Sequence, residues 1–218
     1  RWRPGDPAKE SLLPRRPGSM GATMREKTTL PSTWSNLWPL PATTVMVSCV
    51  GATARPNVIT LGASGIACAR PPLISLAFGV KRYSLELVRE TGDFAVNVPS
   101  SEQAAVTDWC GRVSGRDVDK FREGGLTAVP SERIASPWIG ECPVAYECTL
   151  WRIVSCGSHD LVLGEVRCVH VDTAALNAAG DALDPAKCNM LLSVQLEYWD
   201  LGRFRGRWGE ARKELGKQ

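Results

Sequence analysis

Apolar and polar positions along residues 44–171 fall mostly into short runs of strand character, with a few stretches at helical spacing between them. Thr44–Val50 (TVMVSCV) predicts a first strand after the Trp-rich approach that ends at Pro39-Leu-Pro41. Gly51–Pro56 predicts a turn and Asn57–Leu61 a returning strand. Ile66–Ala69 leads into Pro71-Pro72, where the proline rings exclude helix, and Leu73–Val80 is apolar enough to expect burial on both faces. Tyr83–Thr91 predicts a helix, with Leu85, Leu87 and Val88 turned inward and Gly92 ending it. Phe94–Val98 is a strand stopped by Pro99. Ser100 with Gln103 three places on predicts a capping box for a helix to about Cys110, and Asp117–Glu123 predicts a short helix closed by Gly124-Gly125.

The longest regular unit is a hairpin, with arms Ala145–Val154 and Leu161–Val171 joined through Cys156–Asp160. In the outgoing arm Tyr146, Cys148, Leu150 and Arg152 share one face, and Glu147, Thr149, Trp151 and Ile153 the other. A hairpin this long needs further strands to be stable. Residues 172–189 read as loop, and Met190–Leu201 as a short apolar stretch. Strands outweigh helices and do not alternate with them one for one. The expectation is therefore a mainly β chain, an antiparallel barrel with short inserted helices rather than a doubly wound sheet. No internal repeat is visible.

At 218 residues a single domain suffices. The Pro-, Gly- and Arg-rich residues 1–24 read as a tail outside the fold, 25–202 as the domain, and 203–218 as a basic arm. No apolar run approaches the roughly 20 residues of a membrane helix, and the N-terminus lacks an apolar signal core. Eight scattered cysteines without Cys-x-x-Cys spacing read as reduced thiols of a cytoplasmic protein, with Cys142 and Cys148 the closest pair for any redox role. The net charge of +3 combines basic ends with an acidic body. Together with the aromatic-interleaved Arg203–Trp208, this keeps a nucleic-acid-binding β-barrel open as an alternative.

For chemistry, Gly-x-Gly-x-x-Gly and the P-loop are both absent. With two histidines, a His-rich metal site is excluded and no metal is expected. His170, near a strand end, reads as structural, and no nucleophile elbow exists for His159 to serve. Two stretches remain. The small residues of Thr60–Gly65 would let backbone N–H groups reach an anion or a flat ring, or they simply fill a crowded corner. Lys81-Arg82-Tyr83-Ser84, between a strand and a helix start, offers a point charge, a guanidinium fork and a hydroxyl to a phosphate, or is a solvated turn.

Taken in order, Asn57–Ile66, Pro71–Ser75, Arg82–Ser84, Thr91–Pro99, Gly115–Phe121 and Gly157–Val166 resemble the flavin reductase-like family, in particular its flavoredoxin-type branch. The resemblance implies a Greek-key FMN-binding split barrel that holds FMN non-covalently near the interface of a homodimer. It implies that Thr60, Leu61, Gly62, Ala63, Ser64 and Gly65, with Asn57, lie along the flavin. Lys81, Arg82, Tyr83 and Ser84 would serve its phosphate and ribityl chain, with Lys120 at the polar end. His159 would stand near the nicotinamide site, and NAD(P)H would donate hydride to the flavin. The implied activity is an NAD(P)H:flavin reductase or a flavoredoxin-type electron carrier, with a non-catalytic FMN-binding dimer as the alternative. An unidentified acceptor would receive the electrons.

Overall fold

The computed structural model describes residues 25–33, 40–53 and 55–205. The chain divides into two units, Ser32–Leu201 and a second made of Arg1–Pro31 with Gly202–Gln218. The described residues of the second unit carry no helix or strand. The expectations for residues 1–24, and for the arm beyond residue 205, lie outside the described residues.

The first unit is built on seven antiparallel strands, β2 (Val45–Cys49), β3 (Asn57–Leu61), β4 (Ser64–Ala69), β5 (Pro72–Gly79), β6 (Asp93–Val98), β9 (Val144–Ser155) and β10 (His159–Val171). Their order is β3-β2-β6-β9-β10-β5-β4. A small sheet joins β1 (Ala42–Thr43) with β11 (Leu192–Val194) and β12 (Glu197–Trp199), and β7 (Ala128–Val129) pairs with β8 (Trp138–Ile139). Among the described residues the α-helices are α1 (Tyr83–Thr91), α2 (Ala104–Arg112), α3 (Lys120–Glu123) and α4 (Pro185–Cys188).

Two apolar clusters share the strands. Val45, Val47, Ile59, Leu76, Phe78, Phe94 and Val96 meet α1 in the larger cluster. Met46, Val58, Cys110, Phe121 and Ile139 form the smaller one. Alternate residues of β2 therefore point into different clusters, which is why all five are buried. The strand expected to be covered on both faces, β5, is instead buried only at Leu73, Leu76 and Phe78. Helices α2 and α3 contact β3, so the two-sided cover falls there.

The β3 and α1 bounds match the expected elements, and Gly92 closes α1 in the left-handed conformation at φ 74°. Before the prolines, Ser64–Ala69 is a full strand paired with β5, where only a lead-in was expected. The helix expected over 117–123 starts only at Lys120. Asp119 accepts a hydrogen bond from the Arg122 N–H at 3.1 Å, acting as the cap that Asp makes more readily than a helix interior residue. The β9–β10 hairpin is as long as expected but has irregularities at Leu163/Gly164 and Val166/Cys168. At the first, Gly164 lies against the core so tightly that a Cβ there would stand 2.4 Å from Phe94 Cζ.

Candidate functional site

The turn after β5 and the start of α1 form one side of a cleft of about 200 Å³, and the end of α2 with the loop after it, residues 111–116, forms the other. Asn57, Ile59 and Lys120 also line it. The backbone at Arg82 is extended and caps α1 with no side-chain hydrogen bond. The first N–H groups of this nine-residue helix therefore face the cleft without a side-chain acceptor, an arrangement suited to an anion. Lys81 and Arg82 are exposed beside them.

Lys120 lies behind these groups and is 3% exposed. Its ammonium donates to the carbonyls of Val58 and Cys110, each at 2.7 Å, and it pairs with no carboxylate among the described residues. Burial pulls its pKa down, and the nearby Arg82 charge adds to the effect. Asn57 Nδ2 donates to Ser84 Oγ at 2.8 Å, while the buried Asn57 Oδ1 has no partner. Gly115 makes that placement possible, since a Cβ on residue 115 would stand 1.9 Å from Asn57 Oδ1.

The far wall is held by contacts that sequence patterning did not single out. Arg55 donates to the Gly115 carbonyl at 3.1 Å. Arg116 lies over the Tyr83 ring at 4.4 Å and reaches both Glu86 oxygens at 2.6 Å. Only the Gly and Arg at 115–116 hinted at this wall, because its partners lie thirty or more residues away.

Thr60–Gly65 continues from the cleft floor out to the surface. Thr60 Oγ1 donates to the Thr107 carbonyl and Ser64 Oγ to the Thr43 carbonyl at 2.7 Å, so both hydroxyls are committed. Leu61 is buried in the core, Gly62 is half-buried, and Ala63 and Gly65 are exposed. His159 pairs with Gly79 across the sheet, and its Nε2 would be 3.9 Å from a Cβ at Gly79, beside the Arg82 stem. The structure thus gathers Asn57, Lys81–Ser84 and Lys120 around the cleft, while His159 stands near the Arg82 stem outside its lining and Thr60–Gly65 do not line it.

A second charged cluster lies on the outer face of the hairpin. Glu147, fully buried, accepts from the backbone N–H groups of Glu132 (2.9 Å) and Arg133 (2.7 Å), and its Oε1 lies 2.7 Å from His170 Nε2. Burial pushes its pKa up, but these hydrogen bonds outweigh burial and hold it below the usual carboxylate value. Asp93 holds the same loop through the N–H groups of Ala135 and Ser136, both at 3.0 Å. Both sides of β9 are therefore covered near residue 147.

All eight cysteines are free. Burial pushes both Cys142 and Cys148 up to about 12, which keeps them as unreactive thiols at neutral pH. No helix among the described residues is long and apolar enough to cross a membrane.

Residues 39–204 match the model of the flavin reductase like domain. The flavoredoxin of Desulfovibrio vulgaris (Miyazaki F) is 28% identical. It superposes with a TM-score of 0.78 over 87% of this chain and 100% of that one. The flavoredoxin of Methanosarcina acetivorans is 26% identical, also at 0.78, over 88% of this chain and 100% of that one. An uncharacterised protein of Aeropyrum pernix is 38% identical over 46% of this chain and 38% of its own length. The first curated relatives that the chain matches are covered over only 38% to 66% of their length.

Proposed function

The chain belongs to the flavin reductase like domain family, with the split-barrel fold of its structural neighbours, and from that premise we propose that it is an FMN-dependent oxidoreductase. The observation that carries this reading is the cleft at the α1 start, lined by a helix N-terminus without a side-chain cap, by a buried Lys120 that no carboxylate pairs among the described residues, and by Asn57 with an orphaned acceptor. Its volume is below the roughly 300–1,000 Å³ of a pocket enclosing a whole drug-sized ligand. It suits the phosphate end of a cofactor whose ring lies outside.

Each group then has a role. Lys81, Arg82 and the N–H groups of Tyr83 and Ser84 meet the phosphate, and Lys120 adds charge from behind. Asn57 Oδ1 would accept from a ribityl hydroxyl, which satisfies a buried atom that otherwise costs free energy. Along 60–65 the exposed backbone of Ala63 and Gly65 would face the ring, since the Thr60 and Ser64 hydroxyls are already bonded. Bound FMN would supply the redox chemistry, taking two electrons from a reduced nicotinamide and releasing them to an acceptor. The protein contributes orientation and charge, so no acid–base dyad is required. His159, near the Arg82 stem at the end of β5, would border the path of the NAD(P)H donor.

A second copy of the chain would cover the exposed Ile66 of β4 and Trp151 and Val154 of the hairpin, giving a homodimer. Purified protein should turn yellow with FMN and bind riboflavin, which lacks the phosphate, much more weakly. Anaerobic addition of NADH, then NADPH, should bleach the flavin band. Protein that takes up no FMN overturns the reading, whereas yellow protein that neither nucleotide bleaches favours an electron carrier or a non-catalytic flavin binder. In His159→Ala we expect unchanged FMN binding with slower bleaching.

A further inference from the structure

On the outer face of the hairpin the irregularity between Val166 and Cys168 changes which side chains share a face. Val166 pairs with Cys148, which points into the core, but Cys168 pairs with Glu147, which points away from it. Directly paired residues lie on one face of a sheet, so the one-residue shift carries Cys168 across to Glu147, and His170 follows two places on. Glu147 Oε, Cys168 Sγ and a ring nitrogen of His170 then lie within 4.8 Å of one another.

The surroundings fix two of these three groups. The Glu132 and Arg133 N–H groups orient the carboxylate, and Trp138 stacks on the His170 ring at 4.8 Å and 14°. Glu147 is 0% exposed, and its only side-chain hydrogen-bond partner among the described residues is His170. Beyond these N–H groups, a cation beside a buried carboxylate stabilises it further, and the imidazole edge and thiol next to Glu147 are groups that a metal cation takes as ligands. Cys168 and His170 are partly exposed, which leaves an entry path.

We propose that Glu147, Cys168 and His170 form a three-ligand site for a zinc-class divalent metal, with the fourth position open to water. Thiolate, imidazole and carboxylate are the donor set such a metal takes, and bonds of about 2.0–2.3 Å put tetrahedral ligand atoms roughly 3.4–3.6 Å apart. Binding opens the 2.7 Å Glu147–His170 contact and draws Cys168 inward. The Cys168 thiol gives its proton to solvent, and the hydrogen that His170 Nε2 presents to Glu147 leaves that nitrogen, to solvent from an imidazolium or to Nδ1 from a neutral ring, so that Nε2 binds the metal and Nδ1 carries the hydrogen. The backbone N–H groups on Glu147 stay in place as outer-shell supports.

Co(II) added to chelator-treated, reduced full-length protein tests this. One equivalent should produce a thiolate-to-cobalt charge-transfer band in the near ultraviolet with tetrahedral visible bands. Cys168→Ser should lose the charge-transfer band, and His170→Gln should bind Co(II) at least about tenfold more weakly. Zn(II) should raise the melting midpoint of the parent protein but not of Cys168→Ser, whose metal-free midpoint should match the parent. Absence of the band in the parent, its persistence in Cys168→Ser, or undiminished affinity in His170→Gln would each overturn the site. FMN content is read separately on the same samples.

Discussion

The molecule buries charge of opposite sign in two places and treats it differently. On the hairpin flank, Glu147 and Asp93 are each wrapped by backbone N–H groups and anchor residues 132–136. At the cleft, Lys120 is held by two carbonyls, a neighbouring acceptor is left without a partner, and further cations gather at the rim. The flank spends its charge on holding a loop. The cleft keeps a positive field and an acceptor with no partner, so the two places differ in how far the protein's own groups satisfy what it buries.

Truncation of Glu147 should show the largest effect. Glu147→Ala strips the acceptor from two backbone N–H groups and from His170, and should cost roughly 3–5 kcal/mol in a denaturant unfolding titration. The molecules that remain folded should bind FMN normally. The Glu147 pKa is depressed in the fold, so this stability is complete above the unfolded value near 4.5 and is lost as pH falls through the lower folded one. A Glu147→Ala protein as stable as the parent would erase the contrast.

Arg82→Ala should give the mirror image. FMN affinity should fall by about 2–3 kcal/mol, on the order of 30- to 150-fold, with little change in unfolding because Arg82 is exposed. Equal affinity would remove Arg82 from the phosphate. Gly115→Ala should cost about 1–3 kcal/mol of stability, because its Cβ must displace Asn57, and should weaken FMN as well.

Lys120 gives a pH signature. Its pKa is lowered in the fold, so the folded protein binds fewer protons than the unfolded chain between that lowered value and 10.5, and stability from this group rises with pH across the window. A bound phosphate raises the lysine pKa again. FMN affinity should therefore decline as alkaline pH passes through the lowered value, with proton uptake on binding there, and Lys120→Met should bind more weakly without that decline. Buffer-dependent calorimetry showing no proton uptake would place the phosphate elsewhere. The smallest effect should come from the exposed Arg116–Glu86 pair, where Glu86→Gln should change stability by less than about 1 kcal/mol.

Much of this was legible locally. The strand at Asn57–Leu61, the helix at Tyr83–Thr91 with its Gly92 stop, and the long hairpin follow from periodicity and from turn and cap residues, which act over a few positions. The cationic turn at Lys81–Ser84 was visible for the same reason, as three polar side chains meeting a helix start. Lys120 stood out only through resemblance, because nothing in its neighbourhood says that it will be buried. The wall at Arg116 was hinted at only by the Gly115–Phe121 stretch, and the Glu147–Cys168–His170 group was not visible.

Sequence by itself determined a mainly β chain of this family, the places where its strands turn, and one cationic turn at a helix start, since each depends on residues within a few positions of one another. Tertiary structure decided which charges are buried and which are left short of partners. Asn57 meets Gly115 and Lys120 meets Val58 only after the chain closes, and a single shifted residue on β10 swings Cys168 from the face of Cys148 to that of Glu147. Desolvation and strand register are sums over contacts far apart in the chain, and no local pattern carries them.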